Sequence, residues 1–216
     1  MKRALASIPD TRLLIDPRPP EWTEYPRAFF RGNTIEVARE LLGAWIARRQ
    51  GDLWLGARIV ETEAYLGRDD AAAHSWRGRR TARVEPMYQD GGHLYVFLVY
   101  GMHHCANVVT RPEGIAEAVL LRAAEGPHGL SATTLSGPGR LCAALGITKA
   151  DSGIDLLSGG SVRIFQRFGA PPKTGVTPRI GVDYAGAAKH WPLRFFDMDS
   201  SAISGPPRMK RNLAVQ

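Results

Sequence analysis

The sequence predicts one globular domain that mixes helices with strands, and three observations carry that prediction. The chain has 216 residues, enough for a single domain with extensions and a core that holds without cross-links. It is 44% hydrophobic and 23% charged, the balance of a folded chain and not of a disordered one. Its apolar residues switch from helical spacing to strict alternation and back, which calls for elements of both kinds. The longest unbroken apolar run, 94–100, is far short of the roughly 18 residues needed to span a bilayer. Lys2 and Arg3 are followed by too short an apolar stretch for a secretory signal. Cys105 and Cys142 are the only cysteines, so a disulfide framework and a thiol zinc cage are excluded and a reducing compartment is expected.

The elements follow in order. Residues 1–28 hold Pro9, Pro17, Pro19, Pro20 and Pro26, a density that forbids a helix and predicts an extended arm. Asn33 is a candidate cap with Glu36 placed as in a capping box. Ile35, Ala38, Leu41, Leu42, Trp45 and Ile46 then recur at helical spacing, which predicts a helix over 33–49. Residues 53–66 read as a strand with Ile59, Glu61, Glu63 and Tyr65 on one face and Arg58, Val60, Thr62 and Ala64 on the other. The stretch 67–92 has no sustained period beyond a short helix capped by Asp69 or Asp70, and loops that long inside a domain are functional or disordered. Strands over 94–100 and 105–110 joined at Gly101 to His103 form a β-hairpin. A buried strand is expected at 118–123. A short helix opens at Gly137-Pro138-Gly139-Arg140 and is closed by Gly146. Turns and short strands fill the last third, including 162–165. The domain is thus expected over 29–197, with a tail over 198–216.

The formal charge of +7 and pI near 9.8 suit a polyanionic partner, although the excess of arginine over lysine fits a base-composition bias equally well. Between Lys2 and Lys149 there is no lysine, so a Schiff-base mechanism finds no side-chain amine there. Glu61 and Glu63 at i, i+2 are either two glutamates on a solvated strand face or a carboxylate pair in one pocket, where a Glu can activate water. Tyr65 would stand beside them as a flat wall. His74, His103 and His104 lack metal-ligand spacing, so no metal is expected; His74 is either a pocket wall or a surface histidine. Arg77, Arg79, Thr81 and Arg83 form a loop that can reach phosphates or remain solvated. Tyr100 and Met102 at the hairpin tip suit either core packing or an apolar wedge between base steps. Arg140 at a helix N-terminus is a weaker phosphate candidate.

Taken together, Arg58-Ile59-Val60-Glu61-Thr62-Glu63-Ala64-Tyr65-Leu66-Gly67, Ala73-His74-Ser75, the arginine loop, Leu94-Tyr95-Val96, Tyr100-Gly101-Met102, Asn107 and Val119-Leu120-Leu121-Arg122-Ala123 resemble the alkyladenine (3-methyladenine) DNA glycosylase family in order and spacing. The likeness runs from about Phe29 to Phe196 and takes in Ser136-Gly137-Pro138 and Pro192-Leu193-Arg194-Phe195-Phe196. It implies a single α+β domain with a curved antiparallel β-sheet, flanking helices and a protruding hairpin, of the formyltransferase C-terminal-domain type. It also implies a monofunctional glycosylase of base-excision repair that needs no metal or cofactor. By position, the resemblance makes Glu63 the base that activates water and Arg122 the residue that helps place it. Tyr65, His74 and Phe97 fall to the walls of the base pocket, and Asn107 to exclusion of guanine. Tyr100 takes the place of the wedge, while Arg79, Thr81 and Arg83 fall where the family's loop lines the DNA; on the residues alone, Met102 is grouped with the wedge and Arg77 and Arg140 with the backbone contacts. Phe97 stands where the family's vertebrate members carry tyrosine, so a hydroxyl is lost there.

The expected partner is double-stranded DNA containing damaged purines, met by a monomer with no membrane contact. The expected location is the cytoplasm at the nucleoid in a bacterium, or the nucleus in a eukaryote. Two other classes remain open on the residues alone. A metal-dependent nuclease would use Glu61, Glu63, Asp69, Asp70 and His74 as ligands, and a non-enzymatic module would bind lesions without changing them.

Overall fold

In the computed structural model, which describes residues 14–15, 22–127 and 130–205, nine strands form one curled antiparallel sheet. They are β1 (Leu14–Ile15), β2 (Trp45–Gln50), β3 (Leu53–Tyr65), β4 (Leu94–Val99), β5 (His103–Thr110), β6 (Glu117–Glu125), β7 (Val162–Phe165), β8 (Thr174–Thr177) and β9 (Arg194–Asp197). Three helices, α1 (Arg27–Phe30), α2 (Thr34–Glu40) and α3 (Pro138–Leu145), complete the mixed α+β fold. The spatial order is β4-β5-β6-β3-β2-β7. As the longest strand, β3 carries four partners: β2 and then β9 along one edge, β1 and then β6 along the other.

The helices cover one face. Val37, Ala38, Leu41 and Leu42 from the α2 region and Leu141, Cys142 and Leu145 from α3 pack on Leu55, Ala57, Ile59, Val96, Ala106, Val108, Val119 and Leu121. Each large side chain in this layer is fully buried or nearly so, and burying one contributes about 1.5–3 kcal/mol. The opposite face carries the polar residues of interest.

Most elements form where the sequence predicts them. The strand expected over 53–66 is β3, the hairpin is β4 and β5, and α3 ends on Gly146, whose φ of 65° suits a left-handed cap. The helix expected over 33–49 does not run that far. Asn33 caps α2 by accepting from the N–H groups of Ile35 and Glu36, but the helix stops at Glu40 and the chain re-enters the sheet as β2. Gly43, at φ 84°, turns the chain there, donating to the Ile59 carbonyl, while Ile59 donates back to Ala44, both at 2.8 Å. The helical spacing of Leu42, Trp45 and Ile46 is a coincidence of a short window. In β2, Ile46 faces the helices, whereas Ala47 faces Trp22 and Phe165.

The stretch 67–92 folds into three short 3-10 turns at Gly67–Asp69, Trp76–Gly78 and Glu85–Tyr88. Asp70 organises the first: its carboxylate accepts from the Leu66 and Ala72 N–H groups. Part of the expected arm, residues 1–13 and 16–21, and the tail from 206 onward lie outside the described residues.

Candidate active site

The site is made by a defect in the ladder between β3 and β6. Ile59 pairs with Ala124 and Thr62 with Leu121, but the register shifts on both sides of Glu61, so each strand carries one residue more than regular alternation requires. The bulge reverses parity along β3. Leu55, Ala57 and Ile59 point into the helix-covered core, and beyond the bulge Ala64 takes that side, where Thr62 donates to the Ala38 carbonyl of α2 at 2.8 Å. Glu61, Glu63 and Tyr65 do share a face, but Ile59 does not belong to it, because simple alternation fails at the bulge.

A row of paired residues crosses five strands on that face. Tyr95 (β4) pairs with Asn107 (β5), Asn107 with Leu120 (β6), Leu120 with Glu63 (β3), and Glu63 with Arg194 (β9). Residues paired across a sheet project to the same side, which sets a phenol, an amide, a carboxylate and a guanidinium in line. At the β9 end, Gly175 of β8 lies opposite Phe196, and a Cβ there would stand 2.3 Å from the ring, so only glycine lets Phe196 lie across the strand.

Glu63 is fully buried. Its Oε1 accepts from the Ile180 N–H at 2.8 Å and lies 3.2 Å from Arg122 Nη1, and its Oε2 accepts from the Tyr65 hydroxyl at 2.9 Å. A carboxylate offers about four lone-pair sites, so a further site on Oε2 is left for a water molecule. Burial and then the charge of Glu63 hold the Tyr65 phenol well above its ordinary range, so it stays a donor. Burial works against the charge on Arg122, but the carboxylates of Glu63 and Glu61 outweigh it and raise its pKa. The Arg179 guanidinium lies over the Tyr65 ring at 4.6 Å and is clamped on Asp70 at 2.5 and 2.8 Å.

An aromatic wall stands beside the carboxylate. The His74 and Phe97 rings meet edge to face at 4.5 Å, and Tyr95 lies tilted against Phe97 at 5.6 Å. His74 Nδ1 is 2.8 Å from the Tyr95 hydroxyl, so a phenol is present one pleat from the position where Phe97 lacks one. Burial, then Arg83 and Arg79, push His74 down to about 4, which keeps the ring neutral near pH 7. Asn107 Nδ2 donates to the Tyr95 carbonyl at 3.1 Å, fixing the amide orientation.

At the end of the hairpin the chain turns through Tyr100 (φ 52°) and Gly101 (φ 69°). Tyr100 is 88% exposed and Met102 71%, and a left-handed tyrosine costs roughly 1–2 kcal/mol. Core packing is therefore ruled out for both side chains. His103, the first residue of β5 and so next to this turn, is braced by α3, where a Cβ on Gly139 would stand 3.1 Å from His103 Cβ. Arg77, Arg79, Thr81 and Arg83 are all exposed on the loop. Arg77 stacks on Trp76, and Arg83 reaches to 5.8 Å above Phe97, which joins the loop to the aromatic wall. Arg140 is exposed on α3 and donates to the Thr133 carbonyl. The acidic residues that offer themselves as metal ligands do not converge. Asp70 is committed to Arg179 and Glu61 to Arg122 and Arg194, and among the described residues no three of His, Cys, Asp and Glu gather at one point.

Residue-by-residue reading overlooks several members of the site. Arg179 and Ile180 arrive from a turn with no motif of its own, and Ser204 lies beyond the expected domain end. Tyr184, 70% exposed, donates to the Ala72 carbonyl at the rim. Arg194 carries a faint signal, being a cation in an otherwise apolar Leu193-Arg194-Phe195-Phe196 run.

In class, then, this is an α+β protein whose site is a buried carboxylate bordered by rings on the open face of a curled sheet. Residues 28–201 match the model of the methylpurine-DNA glycosylase (MPG) family, and the chain belongs to that family. It is similar to proteins provisionally named as 3-methyladenine DNA glycosylases. One from Myxococcus xanthus is 45% identical, over 88% of this chain and 98% of its own length. Another, from Desulfitobacterium hafniense, is 43% identical over 82% and 97%, and one from Bacillus cereus is 41% identical over 79% and 94%. Among the described residues no helix is long and apolar enough to cross a membrane.

Proposed function

We propose that the chain is a monofunctional DNA glycosylase that takes an alkylated or deaminated purine nucleotide out of duplex DNA and hydrolyses its N-glycosidic bond, leaving an abasic site. The observation that carries this reading is Glu63: buried, held by Arg122 and the Ile180 N–H, with an acceptor site on Oε2 that the protein does not use, beside the Tyr65 phenol and on the sheet face that carries Phe97 with His74 against it. Glu63 takes the proton as water attacks C1′, and Arg122 holds the carboxylate in place from the other side. The flipped base stacks on the face of Tyr65 that Arg179 leaves free, against His74 and Phe97. Asn107, with its amide orientation fixed, bars the exocyclic amine of guanine.

The energies are compatible. Extrusion costs a few kcal/mol, less for a damaged base, and stacking is worth roughly 1–3 kcal/mol per base contact. Tyr100, exposed and held by the turn, fills the gap in the duplex, with Met102 beside it. Arg77, Arg79, Thr81, Arg83 and Arg140 contact the backbone, consistent with the net charge of +7. The protein acts as a monomer, and its relatives being bacterial, we place it at the nucleoid. No cofactor is required.

The test is single-turnover excision of hypoxanthine or ethenoadenine from a duplex, with EDTA present and alkali added before the gel. Wild type yields alkali-dependent strand cleavage. General-base catalysis supplies on the order of 10² to 10⁴ in rate, so Glu63→Gln should bind lesion DNA and lose that much excision. Near-normal excision by Glu63→Gln would falsify the assignment of the base. Cleavage without alkali would point to lyase or nuclease chemistry.

A further inference from the structure

Behind Arg122 lies a second carboxylate that the reaction above does not use. Glu61 is fully buried, and four donor groups surround it. Oε1 accepts from Arg122 Nε at 3.1 Å, Arg194 Nε at 2.6 Å and the Ser204 hydroxyl at 3.0 Å, and Oε2 accepts from the Ser204 N–H at 2.5 Å. Ser204 also takes Arg122 Nε and Nη2 on its hydroxyl oxygen, at 3.2 and 3.0 Å, and Arg194 Nη2 on its carbonyl at 3.0 Å. The Arg122 fork is therefore divided. Its Nε and Nη2 edge is bound to Glu61 and Ser204, and Nη1 remains for Glu63 at 3.2 Å.

We propose that Glu61 and Ser204 are positioning residues for the reaction, fixing the rear edge of the Arg122 guanidinium so that its Nη1 stays on Glu63. The segment around Ser204 thereby becomes part of the active-site machinery. Neither residue meets the substrate. Arg194 balances the charge: two carboxylates, Glu61 and Glu63, face two guanidiniums, Arg122 and Arg194. The requirement at position 61 is for a group that only accepts, because both guanidinium edges and the Ser204 N–H are fixed donors and only the hydroxyl can turn. A glutamine there would set an NH₂ against the Ser204 N–H or against the guanidiniums, and its neutral carbonyl would hold Arg122 more weakly than the carboxylate does.

This inference rests on Glu63 as the base, and the experiment separates the two. Ser204→Ala, Glu61→Gln, Arg122→Ala and Glu63→Gln are compared with wild type for lesion-DNA Kd, single-turnover excision and thermal unfolding. Ser204→Ala keeps the backbone N–H on Glu61 and loses only the hydroxyl. It should fold and bind as wild type while excision falls about tenfold, the rate equivalent of one hydrogen bond to a charged group. Glu61→Gln should lose about a hundredfold, and if it fails to fold, Ser204→Ala decides. Because the serine acts through Arg122, Ser204→Ala should cost nothing further in an Arg122→Ala background. Wild-type excision by Ser204→Ala, equal losses in binding and rate, or full additivity with Arg122→Ala would each overturn the proposal. Retained excision by Glu63→Gln would instead overturn the base assignment, whatever Ser204→Ala does.

Discussion

Arg122 and Arg79 carry the same guanidinium, yet one is buried against two carboxylates and the other stands in solvent on the loop in front of the site. The buried polar layer behind the cleft, from Asp70 and Arg179 through Glu63 and Arg122 to Glu61 and Arg194, has almost every charge paired at hydrogen-bond distance. On the loop and hairpin in front, Arg80 is paired with Glu85 at 2.6 Å, but among the described residues Arg77, Arg79 and Arg83 are exposed and form no ion pair, and the apolar tip stands open. In low dielectric a charge must be matched within the fold, so the rear layer fixes geometry. In water an exposed cation contributes little to stability and is available for a phosphate. Stability and chemistry should therefore answer to one region, and affinity and salt dependence to the other.

Four substitutions sharpen that contrast. The largest expected effect is in the rear layer: Asp70→Asn leaves Arg179 buried without its counter-charge and should cost about 3–5 kcal/mol in urea unfolding. A loss under 1 kcal/mol would show that the clamp is dispensable. Next comes the hairpin tip. Tyr100→Ala keeps a Cβ at the left-handed position and removes only an exposed ring, so stability should stay about unchanged, while lesion-DNA affinity drops by the equivalent of about 1–3 kcal/mol of stacking. An unchanged 2-aminopurine signal on binding would remove Tyr100 from the duplex.

Smaller effects follow. Arg79→Ala should reduce the slope of log K against log salt by about 0.9 with no change in unfolding, and an unaltered slope places Arg79 outside the footprint. The last is a pH effect at the aromatic wall, absent near pH 7 and felt only in acid. His74 falls from an ordinary 6.5 to about 4 in the folded protein, so the unfolded chain binds the extra proton between those values. Stability from this group is full above about 6.5 and is lost as pH falls toward about 4; His74→Gln should flatten that part of the stability profile. A profile with the same slope in both proteins would show that His74 stays solvated.

Much of the architecture was legible in the residues. Alternation in β3 on either side of its bulge, the two apolar runs of the hairpin and the Gly-Pro opening of α3 are local signals, and these survive folding. The helix predicted through Arg49 was not, because a few apolar residues fit two periods and only pairing with β3 and β7 selects the strand. Of the candidate site, Glu63, Tyr65, His74, Phe97, Asn107 and Arg122 could be named in advance; the sheet sets five of them on one face, and His74 reaches it from the 67–92 stretch by packing on Phe97 and Tyr95.

By itself, the sequence determined the mixture of elements, the family motif string and the presence of a carboxylate beside aromatics. Tertiary structure alone decided the side to which that carboxylate points and what holds it. The bulge that turns Glu61 and Glu63 away from Ile59 exists only in the pairing of β3 with β6. The partners that complete the cluster come from 117 residues away for Ile180, 133 for Arg194 and 143 for Ser204. Period and propensity act within a few residues of chain, whereas matching a buried charge is settled by whatever donor the fold brings within 3 Å.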